Sequence, residues 1–214
     1  MGANGPDHDF GQPPILVSLG GGKRALVIGQ KSGMVHALDP DQKGAVLWQT
    51  RAGQGSALGG SQWGSASDGE NVYVAISDFA AANKDASSAV GAGLYALNLK
   101  TGKTVWSARQ SACTAEQKNC FAARSAAVTA IPGVVFSGSM DGHLRAHATA
   151  TGAVIWDVDT AREYPTVNGK PARGGAMDVS GPAVVNGMLF VNSGYGQWGG
   201  MPGNVLLAFS VDGK

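Results

Sequence analysis

The chain has 214 residues, a formal net charge of +1, 43% hydrophobic residues and 14% charged residues. That length and apolar content suffice for a packed core in one domain. No basic or acidic run is present, which argues against nucleic acid or an anionic membrane as the main partner, and no apolar run approaches the roughly 18 residues of a membrane helix.

Residues 1–13 read as a polar loop, and their sequence has neither the basic nor the apolar region of a signal peptide. Four short strands follow at 14–19, 24–29, 34–38 and 45–50, separated by Gly-containing turns. Four such strands in a row are the pattern of one propeller blade. The Gly- and Ser-rich loop RAGQGSALGGSQ at 51–62 leads to strands at 63–66, 71–77, 94–97 and 104–107, with a small-residue insertion at 78–92. A loop at 108–124 precedes strands at 126–130, 134–137, 144–148 and 154–158. A second long loop at 159–179 leads to strands at 183–185 and 188–192, the glycine loop GYGQWGGMPG at 194–203, and a strand at 205–209. No stretch keeps a helical period, so little helix is expected. The reading is all-β: about four blades of a propeller with four-stranded antiparallel sheets, at about 14–50, 63–107, 126–158 and 183–214.

A repeated hairpin carries this reading. It appears as GMVHALDPDQKGAVLW at 33–48, GLYALNLKTGKTVW at 93–106 and GHLRAHATATGAVIW at 142–156, and it begins a fourth time as NVLLAFSVDGK at 204–214. Self-similarity of this kind is the mark of a repeat architecture. A small residue recurs where strands approach (Ala37, Ala96, Ala146, Ala208), and a glycine recurs at the turn (Gly44, Gly102, Gly152, Gly213). The closing Trp48, Trp106 and Trp156 are expected to pack between blades rather than to serve a ligand.

Few residues stand outside the repeat. Trp63 and Trp198 lie in glycine-rich loops, where a ring either offers a flat face to a planar ligand or covers the end of the barrel. Asp7 and Asp9 in PDHDFG can supply a general base or cap a turn. Lys31 in GQKSG can meet an anionic ligand or remain a solvated turn lysine. His8, His36, His143 and His147 lack metal-ligand spacing, and no haem-attachment, nucleophile-elbow or phosphate-loop motif is present. Cys113 and Cys120 bracket the polar segment CTAEQKNC, either as a local disulfide suited to an oxidising compartment or as two free thiols.

Several stretches together resemble one family: GPDHDFG at 5–11, GQKSGMVHALD at 29–39, GGSQWGSASDG at 59–69, VVFSGSMDGHLRAHATATGAVIW at 134–156 and GGMPGNVLLAFSVDGK at 199–214. They are similar to the C-terminal half of pyrroloquinoline-quinone-dependent alcohol dehydrogenases, eight-bladed propellers, and most similar to the polyvinyl alcohol dehydrogenase branch. The resemblance implies oxidation of a secondary alcohol such as polyvinyl alcohol, with Asp9 as catalytic base. It implies quinone contacts from Lys31, Gln62, Trp63 and Trp198, with Gln62 standing where the family has Asn. It also implies a periplasmic setting, a cytochrome c-type electron acceptor and a Ca²⁺ whose ligands lie outside this chain. The chain is then expected to need a missing N-terminal half or a second copy, and alone neither to bind quinone tightly nor to turn over. A non-catalytic scaffold of the outer-membrane-assembly type shares the repeat without needing Asp9, Lys31 and Trp63 together. A quinoprotein sugar dehydrogenase is the third reading.

Overall fold

The computed structural model describes residues 5–79, 90–111, 113–114 and 116–212. Gly213 and most of the insertion at 78–92 lie outside the described residues. The first antiparallel sheet joins β1 (Ile15–Gly20), β2 (Lys23–Gly29), β3 (Met34–Asp39) and β4 (Ala45–Arg51) in sequence order. The second joins β5 (Ala66–Ser67), β6 (Asn71–Ile76), β7 (Gly93–Asn98) and β8 (Thr104–Arg109). The third joins β9 (Thr129–Ile131), β10 (Val134–Gly138), β11 (His143–Ala148) and β12 (Val154–Asp159). A small hairpin of β13 (Glu163–Tyr164) and β14 (Ala172–Arg173) stands inside the loop expected at 159–179. The fourth sheet has three strands among the described residues: β15 (Ala183–Val185), β16 (Met188–Ser193) and β17 (Val205–Phe209). Among the described residues helix is confined to two 3-10 turns, Pro40–Gln42 and Gln197–Gly199.

The apolar cores lie between successive sheets. Val17, Val27, Val35 and Trp48 of the first sheet pack with Val72, Val74, Ile76 and Leu97 of the second. Tyr73, Leu94 and Ala96 meet Val128 and Val135 of the third blade. Leu144 meets Leu189, Val191, Val205, Leu207 and Phe209 of the fourth. A sheet apolar on both faces needs a neighbour on each side, which is how blades stack.

The repeat explains the local geometry. Ala37, Ala96 and Ala146 stand opposite Trp48, Trp106 and Trp156, and the register shifts just beyond each of these pairs. A bulge at one fixed place in three sheets turns the ring toward the next blade. The Trp48 indole N–H donates to the Leu99 carbonyl at 2.8 Å, and that of Trp106 to the Thr149 carbonyl at 2.7 Å. Trp156 meets Phe209 edge to face, with ring centroids 5.1 Å apart. Ala208 departs from expectation: it is exposed, because β17 has no further strand beside it among the described residues.

Two expected strands are shorter than read. The segment at 63–66 contributes only Ala66 to a strand, because its preceding residues bond to other blades: Ser65 Oγ donates to Gln12 Oε1 and the Gly64 carbonyl accepts from Val128 N–H. The segment at 126–130 becomes strand only from Thr129, because Ala127 N–H is given to the Val179 carbonyl. Chain that looks like strand is spent here on joining neighbouring blades. Cys113 and Cys120 are disulfide-bonded, with Cα atoms 5.9 Å apart.

Candidate functional site

The turn after β2 carries Lys31. Lys31 N–H donates to the Asp9 carbonyl at 3.1 Å, so the backbone brings the PDHDFG loop alongside. The side chains meet as well: Lys31 Nζ lies 2.8 Å from Asp9 Oδ1 and 3.3 Å from Asp7 Oδ1. The Lys31 side chain is only 16% exposed, whereas that of Asp9 is 62% exposed. The hydrogen bond to Asp9, above all, raises the Lys31 pKa above that of an ordinary lysine, with Asp7 adding to the effect against burial. Lys31 is thus a protonated, paired amine at neutral pH. The two aspartates serve it rather than a turn.

The loop at 53–62 is folded over this turn by a buried carboxylate. Asp78 has φ +40° and accepts N–H bonds from Gln54 at 2.7 Å, Gly55 at 3.0 Å and Gly60 at 2.8 Å. The loop in turn gives Ser56 N–H to the Lys31 carbonyl and Ser61 N–H to that of Gln30. It ends in Gln62 and Trp63. Gln62 is buried, and its Nε2 donates to the Gly59 carbonyl, so part of the amide holds the loop itself.

Trp198 arrives from the other end of the chain. It sits in the 3-10 turn Gln197–Gly199 with φ +59°, in a loop whose Gly194 and Tyr195 N–H groups bond the Ala176 carbonyl. Asp9, Lys31, Gln62, Trp63 and Trp198 all line one cavity of about 220 Å³. Trp63 is 40% and Trp198 57% exposed, so each ring keeps a face open.

Other lining residues carry no sequence motif. Phe79 lines the cavity and packs on Phe121 with ring centroids 4.4 Å apart, one residue after the disulfide-bonded Cys120. Met140 adds an apolar wall. Ser125 and Asp178 add polar groups. Behind Ser125, the buried Arg124 gives Nε to Gln110 Oε1 at 2.6 Å and lies 2.9 Å from His147 Nε2. Burial first, then the Arg145 cation, pulls the Arg124 pKa down to about 10.

The donor set fits a flat, anionic, oxygen-rich ligand: open aromatic faces, a protonated amine, an amide and a hydroxyl around one cavity. Among the described residues no group of three or more His, Cys, Asp or Glu is placed to hold a metal ion. Among the same residues no helix is long and apolar enough to cross a membrane.

Comparison with known proteins agrees with the fold. Residues 31–173 match the family model described as outer membrane protein assembly factor BamB. The chain is 48% identical to polyvinylalcohol dehydrogenase of Pseudomonas sp. over 98% of its own length, and 44% identical to that of Sphingopyxis sp. (strain 113P3), again over 98%. It spans 34% of the length of each of these curated relatives. Quinohemoprotein alcohol dehydrogenase from Comamonas testosteroni superposes with a TM-score of 0.60 at 16% identity, over 97% of this chain and 34% of that one. The chain therefore belongs to the propeller family of the BamB model, and within it resembles the quinoprotein alcohol dehydrogenases of the polyvinyl alcohol dehydrogenase type.

Proposed function

We propose that this chain carries part of the active site of a pyrroloquinoline-quinone-dependent dehydrogenase that oxidises a secondary alcohol such as polyvinyl alcohol. The observation that supports the reading is the convergence of Asp9, Lys31, Gln62, Trp63 and Trp198, from four separate stretches of chain, on one cavity. The family model covers 31–173, so it includes neither Asp9 nor Trp198. A scaffold built only on the repeat has no need of either.

When bound, pyrroloquinoline quinone supplies the oxidant that accepts hydride from the carbinol carbon. Asp9, exposed at the cavity, takes the hydroxyl proton of the alcohol, so that the carbinol becomes a carbonyl. Lys31 holds Asp9 in place and has a further N–H to give to an anionic or carbonyl oxygen of the ligand. Trp63 and Trp198 bound a flat ligand and keep water from its faces. Ca²⁺ is read as held by ligands in the rest of the longer propeller, since among the described residues no group of three or more His, Cys, Asp or Glu is placed to hold it. The protein is read as periplasmic, where the Cys113–Cys120 disulfide persists, with a cytochrome c-type acceptor and the rest of a longer propeller as partners.

The test is titration of the purified chain with quinone and Ca²⁺, followed by Trp fluorescence and dye-linked oxidation of a secondary alcohol, beside an N-terminally extended protein. The extended protein is expected to bind and turn over, and the 1–214 chain to bind weakly. Asp9→Asn is expected to lower kcat by about 10²–10⁴-fold with quinone quenching retained. Absence of quinone binding in both proteins would leave the scaffold reading.

A further inference from the structure

Asp7 has no use in the chemistry above, although it stands just ahead of the base in PDHDFG. Its carboxylate is 59% exposed, and its two oxygens lie 3.3 and 3.4 Å from Lys31 Nζ. Among the described residues it meets no other donor or cation. It is not among the residues that line the cavity, so it reaches a ligand only through Lys31.

The cation is the enclosed member of this cluster, and both carboxylates are far more exposed. An enclosed ammonium is costly to leave unpaired. Before the reaction Lys31 faces both Asp9 and Asp7. The alcohol O–H bond then breaks and its proton goes to an Asp9 oxygen, while hydride leaves the carbinol carbon for the quinone and the C=O bond forms. Asp9 is now neutral, and Asp7 alone balances Lys31. Asp9, exposed to water, afterwards gives up its proton there. Among the described residues no other carboxylate pairs with Lys31. Asp78 accepts three loop N–H groups, and Asp178, also at the cavity, accepts the Val179 N–H. Arg51 gives Nη1 to the Ser32 carbonyl at 3.0 Å, and His36 Nδ1 faces Gln49 Nε2 at 2.9 Å. His8, between the two aspartates, makes no ion pair among the described residues.

We infer that Asp7 is a positioning residue: it keeps the Lys31 ammonium paired and in place through the proton transfer, taking over the ion pair as Asp9 becomes neutral. This inference rests on the dehydrogenase reading and deepens it. With Asp7 present, Lys31 keeps one N–H on a carboxylate and a further one for the ligand oxygen on both sides of the step. A carboxylate as exposed as Asp7 contributes little to folding, so its role at the site separates cleanly from stability.

The first test needs no quinone. Asp9→Asn stands in for Asp9 once it carries the proton, and it keeps the backbone carbonyl that accepts Lys31 N–H. Lys31 is titrated in the 1–214 chain through its ¹³Cε resonance. The wild-type amine titrates above an ordinary lysine. Its midpoint is expected to fall in Asp9→Asn and to fall again when Asp7→Asn is added. Equal midpoints in Asp9→Asn and the double variant overturn the inference, because Asp7 then does not take over the pair. The second test uses the N-terminally extended protein with quinone and Ca²⁺. Asp7→Asn is expected to lower kcat about fivefold with KM and melting temperature unchanged, and Asp7→Glu to restore most of the loss. An unchanged kcat in Asp7→Asn overturns the inference, and so does a loss that follows the melting temperature. The expected Lys31 midpoints in a protein that oxidises no alcohol would retain the handover of the ion pair and remove only the dehydrogenase reading.

Discussion

His147 shows how far one buried residue can set the behaviour of this protein. It is fully buried, with Nδ1 3.0 Å from the Gly152 carbonyl and Nε2 beside the Arg124 guanidinium. Desolvation, then the Arg124 charge, pushes its pKa down to about 4. The fold therefore holds it neutral, while the unfolded chain protonates it below about 6.5. The unfolded state binds more protons in that window, so stability is intact above about pH 6.5 and falls as the pH drops toward 4. By pH 5 the loss is about 2 kcal/mol. His36, whose pKa burial also lowers, adds a loss of the same sign. The lowered carboxylates Asp41, Asp68 and Asp141 titrate below their usual 3.8 and stay ionised throughout this range. Urea midpoints at pH 7 and pH 5 are expected to show the fall, and His147→Gln to reduce it. Equal midpoints in wild type would contradict the account.

At the scale of the element, the joint between blades rests on a tryptophan seated over a turn glycine. A Cβ on Gly102 would stand 2.6 Å from Trp48 Cδ2, and one on Gly152 would stand 2.5 Å from Trp106 Cε3. Both glycines also need positive φ, +68° and +73°. Gly44 occupies the same place in the first blade, with φ +79°, and nothing lies within 4 Å of its would-be Cβ. Gly44→Ala thus meets only the left-handed backbone cost of about 1–2 kcal/mol. Gly102→Ala adds overpacking of about 1–3 kcal/mol. Thermal unfolding is expected to rank the two in that order, and similar losses would show that the ring seat contributes little. The loops obey a comparable logic. Asp78 organises the loop that ends at Trp63 through three backbone N–H groups, so the site is held by chain remote from it in sequence.

The whole molecule is a stack whose cores lie between sheets, and each blade leaves at least one apolar side chain exposed. β6 is buried along its full length. Leu16 and Val46 of the first sheet and Leu206 of β17 are more than half exposed, and β17 lacks a partner on one side among the described residues. Unpaired edges and open apolar faces seek cover. Sedimentation of the 1–214 chain is expected to show association that grows with concentration and weakens in Leu206→Lys. A strictly monomeric chain at all concentrations would show that these surfaces are tolerated in water.

The repeat made much of this fold legible, because one hairpin with Ala, Gly and Trp at fixed places can satisfy its backbone and bury its ring only by stacking on another copy. The composition argues against nucleic acid or an anionic membrane as the main partner, because the sequence holds no basic or acidic run. Lys31 and Trp63 stood out because they interrupt a regular pattern. Ser125, Asp178, Asp78 and Phe79 did not, since no periodicity marks a residue whose partners come from another blade. The strand ends at 63–66 and 126–130 are not legible in the sequence, because there the amides and carbonyls of apparent strand bond across blades. The sequence by itself determined the repeated element and the residues that break it. Only the tertiary structure decided which of those residues share a cavity, because that depends on contacts between chain segments far apart in sequence.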